Sequence, residues 1–141
     1  MGPKGSRYNG SMKSSALQEK RRIYVQALET TLQRIREEFS RVPGVQAVWL
    51  FGSYARGRRD LLTDLDIVVV WETDLPFLER LRALRSRIET EVDLDLLCYT
   101  PEEFRRLQET PFGKRILKEG VCLYAKAAPG RRPALAGTGR D

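Results

Sequence analysis

The sequence predicts an α+β domain in which a small mixed β-sheet is flanked by helices, and two patterns support this class. Short runs rich in β-branched and aromatic residues alternate with segments whose apolar residues recur every three or four positions. The length of 141 residues, with 41% hydrophobic and 31% charged residues, suits one folded domain with its own core. We place that domain at residues 14–125, between flexible tails at 1–13 and 126–141.

The first elements are a helix and two strands. A long amphipathic helix is predicted at 14–42, because its apolar residues, which begin at Tyr24, share one face and Pro43-Gly44 then stops it. The β-branched and aromatic run at 45–51 predicts a strand, and the run at 65–71 predicts a second strand that lies centrally in the sheet.

A second helix opens near Pro76 and carries apolar residues as far as Ile88 on one face. The remaining elements are a strand at 92–99, a helix behind the capping box at Thr100, a short helical piece at 113–119 and an edge strand at 121–124. No segment repeats another, and no apolar run reaches the ~20 residues that a bilayer requires.

Composition excludes several kinds of chemistry. The sequence has no histidine, so imidazole-based acid–base catalysis and His-containing zinc sites are excluded. Cys98 and Cys122 lie in apolar strand-like runs without ligand spacing, and we interpret them as reduced core residues. The first six residues lack an apolar stretch typical of a secretory signal, so we expect a cytoplasmic protein.

The net charge of +6 lies in the ends of the chain. Residues 1–22 carry +5 and residues 126–141 carry +3, whereas the middle of the chain carries −2. A basic groove on the folded body is therefore not expected, and RNA binding through the tails is a remaining alternative that would be strongly salt-dependent.

Pairs of aspartates mark two neighbouring strands. Asp64 and Asp66 are two residues apart at the start of the second strand, and Asp93 and Asp95 are two apart at the start of the third. Because side chains alternate between the faces of a strand, each pair should share a face, and the four carboxylates should share one surface. Such a cluster suits Mg²⁺, although solvated aspartates at a strand end are also compatible with an isolated Asp-x-Asp pair.

Gly52-Ser53 follows directly where the first strand ends. Glycine allows a ligand to approach the backbone, and the serine with its neighbouring amides can begin a helix that faces an anion. An isolated Gly-Ser is more typical of an ordinary turn. Its combination with the two acidic strands favours a site for a nucleoside triphosphate with Mg²⁺.

At these residues the sequence resembles the nucleotidyltransferase superfamily that includes DNA polymerase beta, and in particular its minimal nucleotidyltransferase branch. The resemblance covers about residues 45–125. It rests on Gly52-Ser53-Tyr54-Ala55-Arg56-Gly57, Thr63-Asp64-Leu65-Asp66, Val92-Asp93-Leu94-Asp95, the segment from Tyr99 to Phe104, and the segment from Lys118 to Tyr124. Thr63 departs from the commonest pattern, which has serine there, but it keeps the hydroxyl.

The resemblance implies a polymerase beta-like palm fold and roles for particular residues. Asp64 and Asp66 would be metal ligands for two Mg²⁺ ions, with Mn²⁺ as a substitute, and Gly52 and Ser53 would contact the nucleotide phosphates. Arg56 is a candidate for neutralising phosphate charge. Arg58, Arg59, Lys114 and Arg115 have weaker claims, and Trp49, Phe51 and Trp71 are interpreted as core residues.

The third carboxylate is Asp93 or Asp95. The Val-Asp-Leu form of the motif favours Asp93, whereas counting back from the Tyr99 to Glu103 segment favours Asp95. We favour Asp95 as the third metal ligand and as the base that activates the acceptor hydroxyl.

The implied function is a metal-dependent transfer of a nucleoside monophosphate, AMP from ATP in the first instance, to a hydroxyl acceptor. Minimal members of the family leave acceptor selection to another polypeptide, and many are antitoxins that adenylylate a HEPN-type partner. The alternative is a module of the same fold that binds nucleotide or partner without turnover.

Overall fold

The computed structural model describes the backbone of residues 2–126, and side chains from Ser15 onward. The helices are α1 (Gly2–Ser40), α2 (Gly52–Ala55), α3 (Phe77–Arg85), α4 (Pro101–Leu107) and α5 (Pro111–Glu119). The strands are β1 (Val45–Phe51), β2 (Leu65–Trp71), β3 (Leu94–Tyr99) and β4 (Val121–Ala125).

The four strands form one mixed sheet in the order β3-β2-β1-β4. The strand β1 pairs antiparallel with β2 and β4, whereas β2 and β3 are parallel. The α+β class, the mixed sheet, the central position of β2 and the edge position of β4 are therefore confirmed.

Alternating side chains of the sheet divide the core between its two faces. Val48 of β1 and Val69 of β2 join the larger cluster, together with residues of α1 and α3 such as Phe39 and Leu84. Trp49 and Val68 join a smaller cluster on the other face. The helices α4 and α5 contribute Phe104 and Ile116 to this smaller cluster. Helices thus cover both faces of the sheet, and the period-two alternation of the strands decides which side chains meet which helices.

Several boundaries differ from the predicted ones. The helix α3 ends at Arg85, where the prediction extended to Ile88. Ile88 is nevertheless buried, because the amide of Ile88 donates to the carbonyl of Arg85 in a tight turn that returns its side chain to the core. The strand β3 begins two residues later than predicted, at Leu94, and β4 runs one residue further, to Ala125.

The predicted domain boundaries can be compared with the structure at the N-terminal end of the chain but hardly at the C-terminal end. The helix α1 begins at Gly2, upstream of the predicted start at Ser14, because apolar periodicity cannot detect a helical stretch with few apolar residues. Residues 127–141, and with them nearly all of the predicted C-terminal tail, lie outside the described residues. The division into 1–13, 14–125 and 126–141 stays a prediction.

The predicted capping box is present at the start of α4. Thr100 Oγ1 accepts a hydrogen bond from the amide of Glu103, and Glu103 Oε1 accepts one from the amide of Thr100. Glu103 also pairs with the buried Arg80 of α3 at 2.8 Å, so one carboxylate ties α3 and α4 together. This contact holds both helices against β3, because Arg80 also donates to the carbonyl of Cys98.

The cysteines are not joined, since Cys98 and Cys122 are both free thiols. Burial raises the pKa of Cys98 to about 12, which keeps this thiol protonated and unreactive near neutral pH. Within the described part of the chain, no helix is both long and apolar enough to cross a membrane.

Candidate active site

Three carboxylates meet where β2 and β3 begin. Asp64, Asp66 and Asp95 each offer an oxygen, and these oxygens all lie within 4.8 Å of one another. Asp66 is the register partner of Asp95 across the parallel β2–β3 pair. The two strands therefore bring together residues that are 29 positions apart in the sequence.

The alternation of β2 explains the placement of this acidic cluster. Leu65 and Ile67 are fully buried in the larger core cluster, so Asp64 and Asp66 lie on the opposite face, the side of Val68. Phe51 is the β1 partner of Asp66, and its ring contacts Phe112 of α5 edge to face at 5.6 Å. An aromatic pair thus stands beside the carboxylates on the side of β1.

Asp66 is the electrostatic centre of the cluster. Its partial burial, first, and the neighbouring Asp95 and Asp64 carboxylates together raise its pKa to about 6, whereas Arg56 opposes the shift. The protein thus holds negative charges together at an energetic cost that a cation would remove. The donors are all carboxylate oxygens, which suit a hard divalent ion such as Mg²⁺ or Mn²⁺.

Gly52 lies directly against Asp66. Its φ is +82°, in the left-handed region, and a Cβ at this position would meet the Asp66 carboxylate, with Cγ at only 2.8 Å. No other residue type can adopt this conformation without strain and leave the carboxylate in place. The glycine that the sequence singles out as a phosphate contact is therefore also required by the acidic cluster.

The other two predicted contacts to the nucleotide, Ser53 and Arg56, lie in and directly after the short helix α2. Ser53 is half-buried within α2, and Arg56 follows its last residue with an exposed side chain. The lowering effect of Arg56 on the pKa of Asp66 shows that its positive charge acts on the cluster. The structure thus brings all six predicted site residues into one region, and their individual roles stay predictions.

Asp93 does not belong to the cluster, contrary to the expectation that four carboxylates share one surface. Its side chain is exposed to solvent, although Asp93 stands one position before β3 just as Asp64 stands one position before β2. Its backbone is used instead, because the carbonyl of Asp93 accepts a hydrogen bond from the amide of Leu65 at 2.9 Å.

The weaker basic candidates have structural contacts or exposed positions. Arg58 pairs with Asp60 at 2.9 Å, and Arg59 stacks over the ring of Tyr54 with its guanidinium carbon 3.4 Å from the ring centroid. Lys114 and Arg115 are exposed on α5. These observations match the interpretation of the four residues as parts of a charged surface.

Two residues near the cluster make contacts that the sequence does not predict. Thr63 is fully buried, and its hydroxyl exchanges hydrogen bonds with the amide and carboxylate of Asp60. Tyr24 belongs to the apolar face of α1, but its hydroxyl lies against the backbone of Thr63 and Asp93. Helical periodicity assigns Tyr24 to the core and carries no signal for its polar end.

Comparisons with known proteins extend these observations. The chain is 29% identical over 80 residues to a protein of Methanocaldococcus jannaschii named "Putative protein adenylyltransferase MJ0604", a match that covers 57% of this chain and 79% of that protein. Among solved structures, a "putative nucleotidyltransferase" of Sulfolobus solfataricus superposes with a TM-score of 0.52 at 22% identity, over 73% of this chain and 87% of that one. The second likeness shows a shared fold.

The family assignment rests on a match over most of the domain. The sequence profile described as polymerase beta, nucleotidyltransferase, matches residues 33–128, a span that includes the acidic cluster, Gly52-Ser53 and all four strands. This span exceeds half of the chain. The chain therefore belongs to the polymerase beta nucleotidyltransferase family.

Proposed function

We propose that this nucleotidyltransferase moves AMP from ATP to a hydroxyl group on a protein, with a divalent metal held by Asp64, Asp66 and Asp95. The observation that carries the proposal is the meeting of three carboxylates beside Gly52-Ser53. The name of the Methanocaldococcus jannaschii relative supports adenylyl transfer to a protein.

Each residue has a distinct task in the proposed reaction. Gly52 and Ser53 bind the phosphates of ATP, and Arg56 offsets part of their negative charge. When bound, two Mg²⁺ ions would stabilise the charge that develops on the α-phosphate and on the leaving pyrophosphate. Asp64, Asp66 and Asp95 would hold these ions.

Asp95 is the proposed base because it is the exposed member of the cluster. Its carboxylate takes the proton of the acceptor hydroxyl as the oxygen attacks the α-phosphorus. The new bond joins that oxygen to phosphorus, and the bond between the α-phosphorus and the pyrophosphate oxygen breaks, so pyrophosphate carries away the electron pair. The acceptor can reach Asp95 from the solvent side, since this carboxylate is exposed.

A protein acceptor fits this exposure. The Asp95 carboxylate is exposed at the start of β3, so a macromolecular surface can approach it directly. The family resemblance of the sequence points to a HEPN-type protein as the acceptor, and we include it in the proposal as the first partner to test.

The experiment compares two labelled forms of ATP. The chain is mixed with the product of the neighbouring gene, Mg²⁺, and ATP labelled at either the α- or the γ-phosphate. We expect the α label on the partner and none from the γ label, with loss of transfer in Asp64→Asn and retention in Asp74→Asn, which changes an exposed aspartate outside the cluster. Transfer of the γ label would indicate a phosphotransferase, and nucleotide binding without any transfer would support the non-catalytic module.

A further inference from the structure

Tyr24 of α1 joins the two backbone segments that carry the acidic cluster. Its hydroxyl donates a hydrogen bond to the carbonyl of Thr63 at 2.8 Å and accepts one from the amide of Asp93 at 3.3 Å. Thr63 immediately precedes Asp64, and Asp93 is two residues before Asp95. The Tyr24 hydroxyl on α1 thus contacts the backbone just before β2 and just before β3.

The two bonds extend the β2–β3 ladder by one step. The first backbone bond of this parallel pair runs from the amide of Leu65 to the carbonyl of Asp93 at 2.9 Å. Beyond it, the Thr63 carbonyl and the Asp93 amide are both bonded to the Tyr24 hydroxyl. Asp64 is therefore held on both sides, by the bond at Thr63 and by the bond at Leu65.

The position of the hydroxyl is itself fixed by packing. The ring of Tyr24 is partly buried and packs against the larger core cluster, which holds α1 on the sheet. A second tether joins α1 to the segment before β3, because Thr31 Oγ1 and Thr90 Oγ1 lie 2.7 Å apart, and Thr90 accepts from the amide of Val92. The helix therefore fixes the hydroxyl relative to both strands.

We infer that Tyr24 is a positioning residue, whose hydroxyl sets the spacing of Asp64 and Asp95 for metal binding. This inference rests on the proposed function. Its chemical basis is that three like charges within 4.8 Å repel one another, so the segments carrying them tend to separate unless the backbone is held. The hydroxyl joins those segments and touches no reacting atom.

The test compares Tyr24→Phe with Tyr124→Phe. The first variant keeps the ring and removes both hydrogen bonds. The second removes a hydroxyl from a half-buried tyrosine on β4, at the opposite edge of the sheet. Both proteins are first shown to be folded by circular dichroism, so that later differences reflect the hydroxyl.

Amide hydrogen exchange measured by NMR tests the hydrogen bond from the Asp93 amide to the Tyr24 hydroxyl directly. We expect the Asp93 amide to exchange several-fold faster in Tyr24→Phe, about 3- to 10-fold given the net strength of one hydrogen bond, and to be unchanged in Tyr124→Phe. Unchanged exchange at Asp93 in Tyr24→Phe would overturn the inference.

Calorimetry with Mn²⁺ in the absence of nucleotide measures whether the hydroxyl positions the carboxylates for metal binding. We expect Tyr24→Phe to bind Mn²⁺ about 3- to 10-fold more weakly, whereas a merely structural role would lower the unfolding midpoint and leave the affinity of the folded protein unchanged. Wild-type affinity in folded Tyr24→Phe would therefore also overturn the inference. If the wild type bound no Mn²⁺, the proposed function would fail, and exchange at Asp93 alone would decide whether the hydroxyl holds the two segments.

Discussion

Gly52 packs against the carboxylate of Asp66 so closely that a Cβ at Gly52 would lie 2.8 Å from Asp66 Cγ. The pairing of Phe51 with Asp66 across β1 and β2 fixes this contact, because Gly52 is the next residue after that pair. The backbone of the proposed phosphate-binding turn and a proposed metal ligand are therefore in direct contact, and neither can move independently.

Gly52→Ala should disturb the acidic cluster as well as the backbone. At φ +82° an alanine is strained, and its Cβ would displace the Asp66 carboxylate, so we expect a loss of roughly 1–3 kcal/mol of stability and a loss of Mn²⁺ binding. Gly57→Ala is the matched control, since Gly57 has φ +104° but a Cβ there would meet no atom within 4 Å. Urea unfolding and calorimetry of both variants separate the strain from the displacement. Normal Mn²⁺ binding by Gly52→Ala would contradict this account.

Asp66→Asn should abolish nucleotidyl transfer without destabilising the metal-free protein. The pKa of about 6 shows that the charged carboxylate is unfavourable where it stands, and the neutral amide removes that repulsion. Because the group is half-exposed and screened by solvent, we expect a gain of no more than about 1 kcal/mol in free energy of unfolding at neutral pH. Thermal melts without metal measure this gain, with Asp74→Asn as the control. A strongly destabilised Asp66→Asn would indicate that Asp66 is structural.

Binding of Mn²⁺ should weaken as the pH falls below about 6. The folded pKa of Asp66 lies above its ordinary value of 3.8, so between these values the metal-free folded protein holds a proton that the unfolded chain has released. This proton stabilises the metal-free fold at low pH, and its contribution is lost as the pH rises through about 6. A metal ion must displace it, so apparent affinity should fall by up to about tenfold per pH unit below the pKa and be nearly flat above it.

Calorimetry in two buffers of different ionisation enthalpy measures the displaced proton. Near pH 6 we expect about half a proton released for each Mn²⁺ bound, falling toward zero by pH 8. An affinity independent of pH from 5 to 8 would mean that Asp66 is not a ligand.

The acidic cluster shows how far sequence patterns reach. Period-two alternation alone places Asp64 and Asp66 on one face, because it depends only on local backbone geometry. The same alternation predicts Asp93 beside Asp95, but the Asp93 side chain lies outside the cluster, and its backbone bonds to the Leu65 amide and the Tyr24 hydroxyl. Local patterns carry no information about contacts between segments this far apart in the sequence.

For helices, Tyr24 shows what apolar periodicity can predict and what it cannot. Its spacing in α1 predicts correctly that the ring packs on the core. The partners of its hydroxyl lie 39 and 69 residues away in the sequence, at Thr63 and Asp93. A contact of that range follows from the sheet order and from the placement of α1 on the sheet, so only the folded structure reveals it.

Comparing the transfer rates of Asp95→Asn and Asp93→Asn should show which carboxylate is the catalytic base and which only adds negative charge nearby. Either substitution removes one negative charge near the start of β3, but only Asp95 lies within the cluster and pairs in register with Asp66. A positioned base contributes roughly 10²- to 10⁴-fold in rate, so we expect Asp95→Asn to lose at least about a hundredfold more of the single-turnover transfer rate than Asp93→Asn. Measurement at saturating metal and ATP removes differences in binding from the comparison. A larger loss in Asp93→Asn would reverse the assignment. Equal and modest losses in both variants would mean that neither carboxylate accepts the proton, and that the acceptor hydroxyl is deprotonated without a protein base.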